Sequence, residues 1–270
     1  MRFIQTTILG MALSACVVSA ALAQCIPDPF PLGWLNAQEQ AGGHTIARHV
    51  GRTDAQLVLR LTNNANIQNA STYSDLQTAE LAITGGLAGV RVVINAWAEN
   101  ANHGQRRVDN FTAAANVGRV AFRPPNLANI VDSDRFRTVI QADGHGGCFL
   151  PTSFPTMPPP NGPNLLEESR MHVTVDEDVS ALAGYLAGQF ADSDVSEKTD
   201  AELAKSEVDH ISVEAHLLVI EQANLFLNDP TSNFTLVGDW ANRVFATDAE
   251  AKNWLTKVIA DLQDAVDDLD

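Results

Sequence analysis

Two residues in this chain, His49 and Arg60, have types and spacing that suit a reaction, standing eleven positions apart across the turn Gly51-Arg52-Thr53. An imidazole with a pKa near neutrality can accept or deliver a proton. A guanidinium is permanently charged and presents a fork that matches two phosphate oxygens. The pairing suits cleavage of RNA without a metal. RNA carries its own nucleophile, the 2′-hydroxyl, so a protein need only take that proton, supply one to the leaving 5′-oxygen and place cations around the phosphorane-like transition state. The spacing brings side chains of two neighbouring helices to one cleft, but it equally fits an ordinary surface or capping pair and is not diagnostic alone. Other chemistries find no support. There is no His-Glu-x-x-His or cysteine-rich metal motif, no Gly-x-Ser-x-Gly elbow and no Gly-x-x-x-x-Gly-Lys phosphate loop. His44 and His49 are five apart, about 140° around a helix, so they do not form a zinc pair.

The elements that must position these residues follow from local patterns. A helical pattern begins near Trp34, and Gly42 to Gly51 bounds a short helix. Thr53 and Asp54 open a further helix that Asn63-Asn64 ends, with Leu57, Val58 and Leu61 on its apolar side. Ser74, with Gln77 three residues on, predicts a capping box for a helix through Leu76, Ala79 and Ile83, interrupted at Gly85-Gly86 and resumed from Val90 to Trp97. After Ala98 the period changes. Val108 to Arg123 and Arg135 to Phe154 are rich in β-branched and aromatic residues, and Asp143-Gly-His-Gly-Gly predicts the turn between two strands. Trp97 and Phe122 are expected in the core. Helices first and an antiparallel sheet afterwards predict an α+β domain.

Charge divides the chain. From Gln24 to Pro163 ten arginines, with no lysine, balance ten acids, whereas from Asn164 onward 23 acids face six bases. Two differently built domains are the simplest explanation: 24–155, then a proline-rich linker at 156–164 within the cluster Pro155, Pro158, Pro159, Pro160 and Pro163, then an acidic all-α domain at 165–270. Helices are expected over Asp176 to Phe190, Asp200 to Asn228 and Asp248 to Val266.

Residues 1–23 read as a secretory signal peptide. Met1-Arg2 is basic, Ile8 to Ala23 is apolar and small, and Ala21-Leu22-Ala23 is a cleavage site before Gln24. The apolar run is short for a permanent anchor. Gln24 is a poor residue to precede a lipidated Cys25. No later segment reads as a permanent membrane span, so the mature chain is expected to be exported, periplasmic or secreted. It keeps two cysteines, Cys25 and Cys148, which in an oxidising compartment either join or remain thiols.

Several blocks resemble a known family. Gly42-Gly-His-Thr-Ile-Ala-Arg-His-Val-Gly, Thr53-Asp-Ala-Gln-Leu-Val-Leu-Arg-Leu, Ala70-Ser-Thr-Tyr-Ser-Asp-Leu-Gln-Thr-Ala-Glu, Ile94-Asn-Ala-Trp, Val117-Gly-Arg-Val, Arg137-Thr-Val-Ile and Thr152-Ser-Phe-Pro are similar to the bacterial RNase A-like toxin domain of contact-dependent growth inhibition and polymorphic toxins. They stand in the family's order over about Ala41 to Pro155. The resemblance implies an RNase A-like fold and an endoribonuclease that needs no cofactor. It implies a site of His49 as base or acid, Arg60 on the scissile phosphate, Thr152 contributing a hydroxyl and Phe154 stacking where better-described members have Tyr. His44 belongs to the same motif, fixing the loop or touching substrate. His103 and His145 lie in apparent turns, with His145 close to Thr152 in sequence, and the second proton-transfer group is unassigned. The expected partners are RNA and an immunity protein, separate or intramolecular. Leu182-Ala-Gly-Tyr-Leu-Ala-Gly-Gln-Phe and Ala249-Glu-Ala-Lys-Asn-Trp-Leu look like small helical immunity proteins, so the acidic half is expected either to inhibit the nuclease or to serve as an accessory or adhesion domain. The alternative is a weak or inactive exported RNase-like binding protein.

Overall fold

Three short helices lead the chain in this computed structural model, which describes residues 24–157, 179–191, 198–206, 208 and 211–269. The leader 1–23 and linker residues 158–164 lie outside the described residues. The helices are α1 (Trp34–Gln40), α2 (Thr45–His49) and α3 (Asp54–Asn63). Helix α3 starts where the sequence predicts. Thr53 accepts the Gln56 N–H while the Gln56 side chain accepts the Thr53 N–H, a cap worth about 1 kcal/mol.

Strand β1 (Asn69–Tyr73) precedes the long helix α4 (Leu76–Ala98), so one strand is interleaved with the helices. The cap of α4 is Asp75 rather than Ser74, with the Thr78 N–H donating to Asp75 Oδ1 at 2.7 Å. The expected interruption at Gly85-Gly86 does not occur. Gly86 faces the rings of Phe111 and Phe136, where a Cβ would come within 3.0 Å, so the glycine admits close packing instead of ending the helix. By length and composition α4 is long and apolar enough to cross a membrane. Its inner face of Ala79, Ile83, Leu87, Ile94 and Ala98 is nevertheless buried in a core shared with Phe136, Ile140 and Leu150. Trp97 only borders that core, and Phe122 is half-buried.

Strands β2 (Arg106–Thr112), β3 (Gly118–Phe122), β4 (Ile130–Ser133), β5 (Arg135–Ala142) and β6 (Cys148–Pro155) complete two antiparallel sheets, ordered β1-β3-β4 and β2-β5-β6. Pro155, the first proline of the cluster, ends β6. Strand alternation gives β5 two faces. Phe136 and Ile140 enter the core beside α4, while Val139 packs with Val108 and with Ala187 of the acidic half. A Cys25–Cys148 disulfide, Cα–Cα 4.7 Å, ties the N-terminal arm to the start of β6.

The acidic half is helical: α5 (Ser180–Gln189), α6 (Asp200–Lys205), α7 (Val213–Asn228), α8 (Thr235–Ala241) and α9 (Asp248–Asp267). The single helix expected over Asp200 to Asn228 is two, because Ser212 caps a new start by accepting the Ala215 N–H at 3.2 Å. The short α8 was not expected; seven residues are too few to show a helical period. Leu182, Leu186, Phe190, Ile220, Val237, Leu255 and Leu262 form the core.

This half packs directly on the β2-β5-β6 sheet. A Cβ on Gly184 would stand 2.5 Å from the Arg106 carbonyl oxygen, so only glycine lets α5 lie so close to β2. Nearby, Arg106 Nη1 donates to Gln189 Oε1 at 3.2 Å. Arg137 Nη1 donates to the carbonyl of Asp239 in α8 at 2.8 Å.

Candidate active site

Helix α2 is fastened to β6 at both strand polar groups. The His44 N–H donates to the Pro151 carbonyl at 2.8 Å, and the Ser153 N–H donates to Thr45 Oγ1 at 2.8 Å. These bonds aim the last residue of α2, His49, into the junction of the two sheets. Its Nδ1 lies 3.2 Å from the carbonyl oxygen of Ser71 on β1, and its ring centroid lies 5.2 Å from that of Phe154 on β6. A carbonyl only accepts, so Nδ1 carries the proton and the basic lone pair of the neutral ring is on Nε2.

Thr152 shares the strand face of Phe154 by alternation, two residues earlier on β6. Its residue is fully buried, Phe154 is 9% exposed and His49 is 2% exposed, so an RNA strand reaches this niche only if something above it moves. Behind β6 the buried phenol of Tyr73 meets Ser153 Oγ at 2.7 Å, and Ser153 Oγ lies 3.1 Å from Thr138 Oγ1. Burial raises the Tyr73 pKa far above the ordinary phenol range, which makes it a fixed neutral tie between β1 and β6.

Arg60 lines a cleft of about 340 Å³ on the outer side of α2 and α3, together with Arg48, Arg52, Gln56 and Asn63. Arg48 is the residue immediately before His49, so the cationic cleft adjoins the α2 terminus. Three arginines and the amides of Gln56, Asn63 and Asn64 around one cavity provide donors for a phosphate. The structure thus joins His49 to Phe154 by ring contact and puts Thr152 on the same strand, while Arg60 lines the adjoining arginine cleft, whose lining includes none of those three. His44 contributes its main chain to the α2–β6 tie. His145 is exposed in the β5–β6 turn, and His103 Nδ1 lies 3.0 Å from the Asp143 carbonyl oxygen in that same turn.

Arg137 was not singled out as a site residue. It is the cross-strand partner of Phe154, held by Nε donation to Asn110 Oδ1 at 3.0 Å and capped by the Asp239 carbonyl. Burial lowers its pKa, an effect that Asp239 partly offsets. Only the β5–β6 register places it there, and no local pattern carries that register.

The fold is α+β, with a histidine at the junction of two antiparallel sheets. Residues 43–155 match the family described as the bacterial CdiA-CT RNAse A domain, which supports a bacterial RNase A-like toxin domain over that stretch of the chain. Among solved structures, one described as the crystal structure of a CdiA-CT/CdiI complex from Y. kristensenii 33638 is 26% identical, covering 43% of this chain and all of that one, with a TM-score of 0.38. No match was found among curated proteins.

Proposed function

We propose that the mature chain is an exported, metal-independent endoribonuclease held in check by its own acidic helical half. His49 Nε2 takes the proton of a ribose 2′-hydroxyl as its oxygen bonds to phosphorus. The bond from phosphorus to the 5′-oxygen breaks, that oxygen gains a proton from water, and a 2′,3′-cyclic phosphate remains. Arg60 holds the scissile phosphate, Thr152 donates a hydroxyl to it, and Phe154 offers a stacking face. The observation that carries this reading is the His49 ring set between the Ser71 carbonyl and Phe154, in the tautomer with its lone pair on Nε2.

Inhibition by the helical half is supported by the contact of α8 with Arg137, beside Phe154. A separate immunity protein would then compete for the same face. The Cys25–Cys148 disulfide suits an oxidising, extracytoplasmic setting. A second reading, an RNase-like binding protein with little activity, is favoured by Phe154, which lacks the phenolic hydroxyl of related sites.

The test compares fragment 24–157, its folding checked by circular dichroism, with the full mature chain on single-stranded RNA in EDTA. The fragment cleaves faster, and His49→Ala in the fragment abolishes cleavage. An unchanged rate in that variant refutes the site, and equal rates for fragment and full chain remove the inhibitory role alone.

A further inference from the structure

In the sheet order β1-β3-β4, β1 has one edge that β3 does not use, and two segments distant in sequence share it. The main chain of the helical half pairs with the residues leading into β1. The Val244 N–H donates to the Asn66 carbonyl at 2.9 Å, and the Gln68 N–H donates to the Asn242 carbonyl at 3.2 Å. At Asn69 the partner becomes a side chain. The Asn69 N–H donates to Asn242 Oδ1 at 3.0 Å, and Asn242 Nδ2 donates to the Asn69 carbonyl at 3.0 Å, with the Ala191 carbonyl also 3.2 Å from that nitrogen. The α2 terminus takes the remainder, with His49 Nδ1 on the Ser71 carbonyl and the Gly51 N–H on the Tyr73 carbonyl at 3.0 Å. At about 3.3 Å of rise per residue, the Asn69 main chain lies about 7 Å along the edge from the carbonyl that holds the imidazole.

A main-chain N–H beside a C=O is a donor and an acceptor at fixed spacing. A carboxamide answers both, and so does the edge of a nucleobase, where a ring or exocyclic N–H stands beside a carbonyl oxygen or ring nitrogen. Resting on the ribonuclease reading above, we propose that the Asn69 main chain is a base-binding subsite for RNA, which the Asn242 carboxamide occupies as a stand-in for the base.

The surrounding structure holds that carboxamide in place. Asn242 has φ 50° and ψ 45°, the one positive φ outside glycine among the described residues, in a region that asparagine tolerates better than most. The next residue, Arg243, is anchored in the helical half, its Nη1 donating to the Phe190 carbonyl at 3.0 Å and its Nη2 to Asp200 Oδ1 at 3.1 Å. Three residues before Asn242, the Asp239 carbonyl caps Arg137, the neighbour of Phe154. The segment 239–244 therefore touches both sheets that flank His49, where an RNA strand crossing the junction would run.

Asn242→Gly removes the carboxamide and retains a residue at ease with φ 50°. The full mature chain, wild type and variant, is titrated with uridine 3′-monophosphate, adenosine 3′-monophosphate and inorganic phosphate while the Asn69 amide resonance is followed, and RNA cleavage is measured in parallel. In the variant both nucleotides shift the Asn69 amide and phosphate does not, whereas in wild type the nucleotides shift it far less. Cleavage by the variant rises about tenfold, the factor expected for losing one or two hydrogen bonds of ordinary net worth. An unmoved Asn69 amide in the variant, or one moved equally by phosphate, overturns the subsite. Equal shifts in wild type and variant overturn its occupation by Asn242. Cleavage with no shift at Asn69 sinks the subsite and leaves the ribonuclease reading standing, while binding with no cleavage does the reverse. Should the glycine variant lose its folded spectrum, Asn242→Asp, which also tolerates the left-handed backbone and still accepts from the Asn69 N–H but cannot donate to the Asn69 carbonyl, shows the same nucleotide-dependent shifts in smaller measure, and their absence overturns the subsite.

Discussion

Replacing Gly184 by alanine sets two effects of similar size against each other. Intrinsic helix propensity favours alanine by about 1 kcal/mol. Packing opposes it, because the new Cβ would lie 2.5 Å from the Arg106 carbonyl oxygen and 2.7 Å from its carbon, both main-chain atoms of a paired strand. Restoring an ordinary separation of at least 3.4 Å requires α5 to retreat from β2 by about 1 Å, a gap that forfeits a quarter to a half of each dispersion contact it opens. The contact of Ala187 with Val108 and Val139 weakens, and the Arg106–Gln189 hydrogen bond stretches beyond its present 3.2 Å. Overpacking of this kind costs about 1–3 kcal/mol. The net is about 1 kcal/mol against docking of the helical half, or about a fivefold weaker docking equilibrium. Gly89→Ala in α4 is the internal control. Its Cβ would meet nothing within 4 Å, so propensity wins there. Urea unfolding and RNA cleavage by the full chain read both changes. Gly184→Ala lowers stability and raises cleavage about fivefold, while Gly89→Ala raises stability and leaves cleavage unchanged. A Gly184→Ala chain that gains stability, as an exposed helical glycine would, with no gain in cleavage, refutes the packing argument.

Reduction of Cys25–Cys148, or replacement of both residues by serine, lowers the unfolding free energy by about 2–5 kcal/mol, since the bridge closes a separation of 123 residues; unchanged urea midpoints would contradict this. Phe154→Tyr restores the hydroxyl that the family resemblance associates with this position and raises kcat severalfold in fragment 24–157, an expectation that an unchanged kcat removes. Thr53→Ala destabilises α3 by about 1 kcal/mol through loss of its cap, seen as a lower Tm. Burial raises the Asp239 pKa above the ordinary carboxyl value of 3.8, with Arg137 lowering it in part. The folded chain therefore binds a proton there more readily than the unfolded chain. Its contribution to stability is complete below pH 3.8 and is lost as pH rises through the raised value. Asp239→Asn flattens stability across that window in thermal unfolding at graded pH, and an unaltered pH profile counts against the assignment.

Several features were legible in the sequence because their free energies are local. The start of α3 at Thr53 is set within four residues, the later strands show as runs of β-branched and aromatic residues, and the β5–β6 turn shows as Asp143-Gly-His-Gly-Gly. The reactive types, His49 and Arg60, were visible with no structure, and the family blocks suggested Thr152 and Phe154. Local signals were less sure where neighbours override them. Gly85-Gly86 reads as a break until Phe111 and Phe136 are seen packed on it, and Ser74 looks like the cap that Asp75 is.

What joins the parts was decided by tertiary structure alone. The contact between the His49 and Phe154 rings spans 105 positions and depends on two main-chain ties from α2 to β6. Arg137 stands beside Phe154 only through the register of β5 on β6, and a shift of one residue would turn it to the other face. Asn242 meets Asn69 across 173 positions, through a free strand edge that no residue near either asparagine announces. Composition sets which groups are available and local pattern sets which elements form. Which groups face one another is set by register and close packing, interactions between residues far apart in the chain.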